Sequence, residues 1–197
     1  MRPLRILLPL LALLTALAYV ALPGGGVGEP EVADATHYDG LLAPLDKCGG
    51  SRQTNTSLST SDQEAVMRCL HNYARIKAGR SSLAGNSLLT SSSDAKTADM
   101  FRCKQFSHTA CGRETLYHVK RVGYTSSGCW GAAENIAWGT GSRGSPRSIM
   151  SAWLHSDGHR ANILNRRYRE MGMGVRKGTF KGYENAQVWT AHLGYRC

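Results

Sequence analysis

Apolar residues recur at helical spacing in four stretches of the chain. The first stretch begins at Ser61, which with Glu64 three residues later fits a capping box, and it ends near Gly79. Between them, Val66, Leu70 and Tyr73 lie three or four residues apart, as on one face of a helix. Comparable patterns predict helices over about 91–105, about 114–122 and from Ser145 to about 157, with one further helical turn over 159–164.

Alternation of apolar and polar residues in the second half of the chain predicts a small sheet. The clearest case is the segment 187–193, and strands are also expected over 133–138 and 171–176. Helices that precede and flank a small sheet are typical of an α+β fold. The predicted fold class is therefore α+β, with about four helices and a small, mainly antiparallel sheet.

The first 22 residues have the pattern of a secretory signal peptide. Arg2 and Arg5 give a basic start, Ile6–Leu22 is mostly apolar, and Ala16-Leu17-Ala18 offers a cleavage site. An uncleaved anchor is the alternative, and both interpretations place the remaining chain outside the cytoplasm. Residues 23–60 are poor in apolar periodicity and rich in Gly, Ser and Thr, so they are predicted to be a flexible linker before a domain over 61–197.

The chain is basic, with a formal net charge of +10 over 197 residues. This charge favours association with anionic surfaces such as wall polymers or lipid headgroups. One local cluster comprises Arg166, Arg167 and Arg169. No repeated arginine–aromatic pattern accompanies it, so no specific nucleic-acid binding is expected. Membrane-surface association is a candidate property, and the sequence does not address the oligomeric state.

Six cysteines follow the signal-like segment, an even number that indicates three disulfides with 15 formal pairings. Cys103 and Cys111 bracket a Phe-Ser-His segment and are expected to pair as a clamp on its loop. The order of pairing remains open for Cys48, Cys69, Cys129 and Cys197. A nucleophilic role for Cys129, in the segment Ser-Gly-Cys-Trp, is disfavoured because it belongs to this even set.

Three polar residues lie in short segments rich in turn-forming residues. His108, Glu134 and His159 are 26 and 25 residues apart, from 134 − 108 and 159 − 134, so only the tertiary fold could bring them together. Two imidazoles and a carboxylate in one place would suit a divalent metal or proton transfer. The alternative is that each residue separately caps a helix or satisfies a turn.

Five segments in order resemble the CAP superfamily of cysteine-rich secretory, antigen-five and pathogenesis-related proteins, particularly its bacterial exported branch. The similarity covers about residues 61–197. The segments are CLHNYARIKAGRSSL, ADMFRCKQFSH, AENIAWG, IMSAWLHSDGHRANIL and QVWTAHLGY. The resemblance implies a three-layer α-β-α sandwich, called the SCP domain, with a surface cleft.

In animal and plant members of this superfamily the cleft holds two histidines and two glutamates, and some members bind zinc there. By this resemblance His108 matches the first histidine and Glu134 the first glutamate, with Asn135 beside it. Ser156 stands at the position of the second glutamate, and Glu184 falls near that of the second histidine. His159, from the bacterial signature, is expected to enter the cleft, which leaves His108, Glu134 and His159 as candidate metal ligands.

The resemblance implies a secreted, non-catalytic binding module for a lipid, a sterol or an anionic cell-envelope ligand. No cofactor is required for that role, although zinc or another divalent metal could occupy the cleft. The alternative function is a metal-dependent hydrolase in which Glu134 acts as the base.

Overall fold

The computed structural model describes residues 38–126 and 128–197, and these residues belong to one compact unit. The predicted signal peptide or anchor over 1–22 and the first part of the predicted linker lie outside the described residues. Within the described ranges, no helix has the length and apolar character needed to cross a bilayer.

The described residues form five α-helices and four β-strands. The helices are α1 (Thr60–Lys77), α2 (Ser87–Arg102), α3 (Tyr117–Arg121), α4 (Pro146–Leu154) and α5 (Asp157–Leu164). The strands are β1 (Ala84–Gly85), β2 (Trp130–Thr140), β3 (Glu170–Phe180) and β4 (Tyr183–Arg196). Short 3-10 helices lie at Gly50–Gln53, Ala110–Gly112 and Gly141–Gly144.

The four strands form one sheet in the order β1-β3-β4-β2. The short β1 is parallel to β3, and the other two pairings are antiparallel. Successive strand residues point to opposite faces. One face packs against α1, α4 and α5 through residues such as Met173 and Trp189, and the other packs against α2. The expected α+β sandwich of three layers, with a mainly antiparallel sheet, is confirmed.

The close approach of α2 to the sheet depends on two glycines of β3. A Cβ atom at Gly172 would lie 2.0 Å from the carbonyl carbon of Leu89, and one at Gly174 would lie 2.7 Å from the backbone of α2. Contacts this short do not occur between real side chains and backbone, so glycine is needed at both positions.

The predicted helix starts are partly wrong. Ser59, not Ser61, caps α1, because its hydroxyl accepts the backbone N–H of Asp62 at 3.1 Å. Glu64 does not reach back to the helix start, and instead its carboxylate accepts the backbone N–H of Val175 at 3.3 Å. The second helix begins four residues earlier than predicted, at Ser87, while the Ser145 cap of α4 is confirmed.

The segment 38–60, predicted to belong to a flexible linker, is packed against the domain. Ala43 and Gln53 are fully buried, and the Gln53 amide donates hydrogen bonds to the carbonyls of Pro44 and Lys47 at 2.9 and 2.8 Å. A disulfide from Cys48 fixes this segment to α1. The linker prediction is therefore wrong for these residues. The segment lacks a periodic apolar pattern, but the buried Gln53 amide holds it against the domain instead.

All six cysteines are bonded, in the pairs Cys48–Cys69, Cys103–Cys111 and Cys129–Cys197. The second pair is the one that the sequence favoured. Since Cys129 is in a disulfide, it carries no thiol that could act as a nucleophile.

Candidate functional site

Glu134 lies at the centre of a polar cluster on the face of the sheet that packs against α2. It stands in β2 directly opposite His192 of β4, and its side chain is fully buried. One carboxylate oxygen is 2.7 Å from Nδ1 of His108, and the other is 2.9 Å from Nε2 of His192. Burial opposes ionisation, but hydrogen bonds from the two histidines outweigh it and hold the pKa of Glu134 below its usual value.

A buried lysine completes the surroundings of this carboxylate. Nζ of Lys96, on α2, is 3.6 Å from Oε1 of Glu134, and its side chain is 3% exposed. The same ammonium donates a hydrogen bond to the backbone carbonyl of His108. Burial lowers the pKa of Lys96, and the charge of Glu134 offsets only part of that effect. Lys96 therefore links α2, the His108 loop and β2 through one positive charge.

The hydrogen bonds also determine where protons lie. An ionised Glu134 can only accept, so Nδ1 of His108 and Nε2 of His192 both donate to it. The remaining nitrogen of a neutral His108 ring, Nε2, then carries the lone pair. His192 is fully buried, and its Nδ1 is 2.7 Å from the hydroxyl of buried Ser92. Of these hydrogen-bonded side chains, His108 is the one that solvent can reach, because it is 47% exposed.

His159, the other histidine predicted to belong to the site, lies in the first turn of α5. Nδ1 of His159 is 2.9 Å from the hydroxyl of Ser156, and the carbonyl of His159 accepts a hydrogen bond from the Asn135 amide at 3.0 Å. Asn135 in turn accepts from Asn162 at 2.9 Å, so β2 fixes the position of α5. Burial, followed by the charge of His108, lowers the pKa of His159 and favours its neutral form.

An apolar groove of about 310 Å³ adjoins these polar residues. Ser156 and His159 form its polar end. The apolar part is lined by Phe106, Ile136, Ala137, Trp138, Ala152 and Trp153. A larger cavity, about 600 Å³, lies elsewhere, between α1, α2 and β3, and includes Glu64 and Asp94. No lining residue is shared between the two, so size alone does not identify the cleft.

The structure connects five of the six predicted residues: His108 bonds Glu134, Asn135 and Ser156 each bond His159, and the charge of His108 acts on His159. Glu184 is the exception. It is exposed near the start of β4, eight residues from His192 (192 − 184), a separation of roughly 26 Å along a strand. The histidine that bonds Glu134 together with His108 is His192, for which the sequence predicts only a place in a strand.

The residues present do not fit a metal centre. Among residues 38–126 and 128–197, no group of three or more His, Cys, Asp or Glu side chains could hold a metal ion. Both oxygens of Glu134 already accept hydrogen bonds from histidine, and the Lys96 ammonium stands beside them. A divalent cation there would be repelled by Lys96. The three predicted ligands therefore do not form a ligand set.

The fold is that of an SCP domain. The profile of the cysteine-rich secretory protein family, CAP, matches residues 69–193, and the chain belongs to this family.

A curated relative is the "Uncharacterized protein YkwD" of Bacillus subtilis (strain 168), 27% identical over 173 residues. The match covers 86% of this chain and 61% of the relative, so the chain spans about three fifths of that protein's length.

Solved structures show the same fold. An extracellular protein containing a SCP domain from Bacillus anthracis str. Ames matches with a TM-score of 0.54 and 24% identity, over 71% of this chain and 44% of that one. An outer surface protein from Borrelia burgdorferi matches with a TM-score of 0.58 and 16% identity, over 71% of this chain and 97% of that one. At these identities the likeness establishes the fold alone.

Proposed function

We propose that this protein is an extracytoplasmic binding module that holds one acyl chain of a lipid in the groove beside His159. The observation that carries the proposal is the groove itself, in which an apolar wall ends at two polar side chains. Ligand sites are typically apolar concavities of about 300–1,000 Å³ with a few polar groups that fix orientation. A volume of about 310 Å³ favours a single chain over a bulkier sterol or glycan.

The polar end of the groove suits a lipid headgroup. Ser156 offers a hydroxyl, and because Nδ1 of His159 already bonds that hydroxyl, the remaining Nε2 of a neutral His159 offers one further donor or acceptor. Lys96 and Glu134 neutralise each other inside the protein, so neither presents a free charge to the ligand. Recognition would therefore depend on apolar burial and hydrogen bonds.

The metal-dependent hydrolase is the weaker alternative. Such an enzyme needs a metal with an open coordination position and a separate base. Here the carboxylate that would have to act as that base, Glu134, is already hydrogen-bonded to His108 and His192. The proposed binding function uses no metal.

The extracytoplasmic location rests on the covalent structure. Three disulfides persist where the environment is oxidising and are rare in the cytosol. The signal-like segment over 1–22 adds a sequence argument for export.

Quenching of tryptophan fluorescence by a brominated fatty acid tests the proposal, because Trp138 and Trp153 line the groove. We expect saturable quenching in the wild type. Ala152→Phe fills the groove and should weaken binding at least tenfold. Ala161→Phe is the matched control, since Ala161 is exposed on α5 and does not line the groove.

A thermal unfolding series with unbrominated fatty acid provides a second measurement. Ligand at 100 times its dissociation constant should add about 2.7 kcal/mol to the free energy of unfolding. Binding that is equal in the two phenylalanine variants would place the ligand elsewhere. Binding that needs added zinc would instead favour the hydrolase alternative.

A further inference from the structure

The arginines of the described chain fall into two kinds. Some are paired with carboxylates, as in Arg52–Asp62, Arg102–Asp99, Arg113–Asp99, Arg160–Asp157 and Arg196–Glu170. Others have no salt bridge within the described residues, and among these Arg80, Arg166, Arg167 and Arg169 are distinguished by lying together around one loop. These four surround the loop between α5 and β3, and three of them, all but Arg80, are exposed.

Neutral acceptors hold three of these guanidinium groups in place, those of Arg80, Arg167 and Arg169. Nε of Arg80 donates to the carbonyl of Leu164 at 3.1 Å, and Arg169 donates to the carbonyls of Arg166 and Tyr168. The Arg167 guanidinium lies 4.6 Å from the centre of the Tyr195 ring and bonds its hydroxyl. Anchoring by carbonyls and a phenol fixes orientation without cancelling charge. Each group keeps further N–H donors for an anion.

A buried arginine organises the same loop. Arg75 is fully buried and donates to the carbonyls of Ile163, Asn165 and Tyr168 at 2.6, 3.0 and 3.4 Å. Burial lowers its pKa to about 10, and the nearby charges of Arg169 and Arg80 contribute to that lowering. Arg75 is therefore close enough to Arg169 and Arg80 to be repelled by both. An anion bound among them would relieve that repulsion.

The neighbouring carboxylate does not supply that anion. Glu170 follows Arg169 in sequence, but its oxygens accept hydrogen bonds from Arg196, Tyr124 and Asn86. The positive charge around the loop is left for a partner outside the molecule.

An exposed aliphatic residue lies at the same end of α1 as Arg80. Ile76 is 62% exposed, and Lys77 follows it with its ammonium 5.7 Å from the centre of the Tyr73 ring. Basic side chains beside an exposed apolar one are typical of proteins that lie on anionic bilayers. A soluble phosphate polymer would make no use of the isoleucine.

We propose that the end of α1 and the loop between α5 and β3 form a basic face that docks on an anionic phospholipid membrane. This basic face consists of Ile76, Lys77, Arg80, Arg166, Arg167 and Arg169. The arginines bind headgroup phosphates, and Ile76 enters the interfacial region. The proposal does not depend on the function proposed for the groove.

Co-sedimentation with two kinds of vesicle tests the membrane proposal. One kind contains equal parts of phosphatidylglycerol and phosphatidylcholine, and the other contains phosphatidylcholine alone. We expect binding only to the anionic vesicles, weakening as salt rises. The triple variant R166Q/R167Q/R169Q should bind at least tenfold more weakly, since each arginine near such a surface contributes roughly fivefold. The control R121Q/R143Q/K181Q removes the same charge from exposed positions elsewhere and should lose less than threefold.

Ile76→Ser separates a membrane from a soluble polymer. It should weaken vesicle binding several-fold and leave binding to soluble polyphosphate unchanged. Circular dichroism confirms that each variant is folded. Equal losses in the two triple variants would reduce the effect to net charge and overturn the proposal. Undiminished vesicle binding by Ile76→Ser, or no binding by the wild type, would overturn it as well.

Discussion

Lys96 and Glu134 form an ion pair that lies almost wholly inside the protein, with side-chain exposures of 3% and 0%. The sequence gives no sign of it, because a lysine on an amphipathic helix is expected to face solvent. Its consequence is that an internal cation lies beside Glu134, one of the three residues that the sequence predicts as metal ligands.

Removal of the ammonium tests the importance of this pair. Lys96→Met leaves a buried carboxylate without its cation and should lower the free energy of unfolding by about 3 kcal/mol, measured by urea denaturation. The matched control is Lys120→Met, which breaks the exposed pair with Glu114. That change should alter stability by less than about 1 kcal/mol. Similar small losses in both variants would mean that Lys96 does not compensate Glu134.

At the scale of elements, the site depends on how closely α2 approaches the sheet. This helix carries both Ser92 and Lys96, and it lies directly over Gly172 of β3. The distance between helix and strand therefore sets the distance from Lys96 to Glu134.

Gly172→Ala should destabilise the protein by about 3 kcal/mol, because the added Cβ would meet the backbone of α2 at 2.0 Å. Gly85→Ala is the control, since a Cβ there meets nothing within 4 Å. This variant should lose less than about 1 kcal/mol of its free energy of unfolding. Thermal unfolding measures both. A Gly172→Ala variant as stable as the control would show that α2 can shift without loss of packing.

The same elements show how far the sequence predicts the fold. Local patterns located α1, α4 and the long strands, because periodicity and caps are properties of neighbouring residues. Two serines precede an acid by three positions, Ser59 before Asp62 and Ser61 before Glu64, and only the first pair caps α1. Glu64 instead accepts a hydrogen bond from β3, whose edge beyond Met171 is not paired with β1. Glu64 is thus drawn to a strand that is distant in sequence, and the residues around Glu64 give no indication of that contact.

The candidate site divides in the same way. His108, Glu134 and His159 stand out because each lies within a family signature. His192 also lies in a family-like segment, QVWTAHLGY, but its role follows from the register that places it opposite Glu134 and cannot be read from that segment alone. A shift of one residue would have turned its side chain to the other face. Glu184 matches the family's second histidine only by its approximate position in the sequence, and eight residues of strand separate it from His192.

At the scale of the whole molecule, two buried groups give stability opposite dependences on pH. Burial lowers the pKa of His71 to about 4, so its contribution to stability is lost as the pH falls from about 6.5 to about 4. Burial, and then the charge of Asp94, raise the pKa of Glu64 to about 7. The folded state therefore holds the Glu64 proton more tightly than the unfolded chain, and stability declines as the pH rises from about 4 to about 7.

Because these slopes oppose each other, the difference between variants is more informative than the wild-type profile. Glu64→Gln keeps an oxygen for the Val175 N–H but cannot ionise. It should be more stable than the wild type by about 2 kcal/mol at pH 8 and equal to it at pH 4, by urea denaturation. Glu184→Gln, at an exposed position, should change stability by less than about 0.5 kcal/mol at either pH. The charge of Arg68 acts on Glu64, and that of Arg176 acts on Asp94. A Glu64→Gln variant less stable than the wild type at pH 8 would mean that these two arginines fully compensate the two carboxylates, and that Glu64 is ionised at neutral pH.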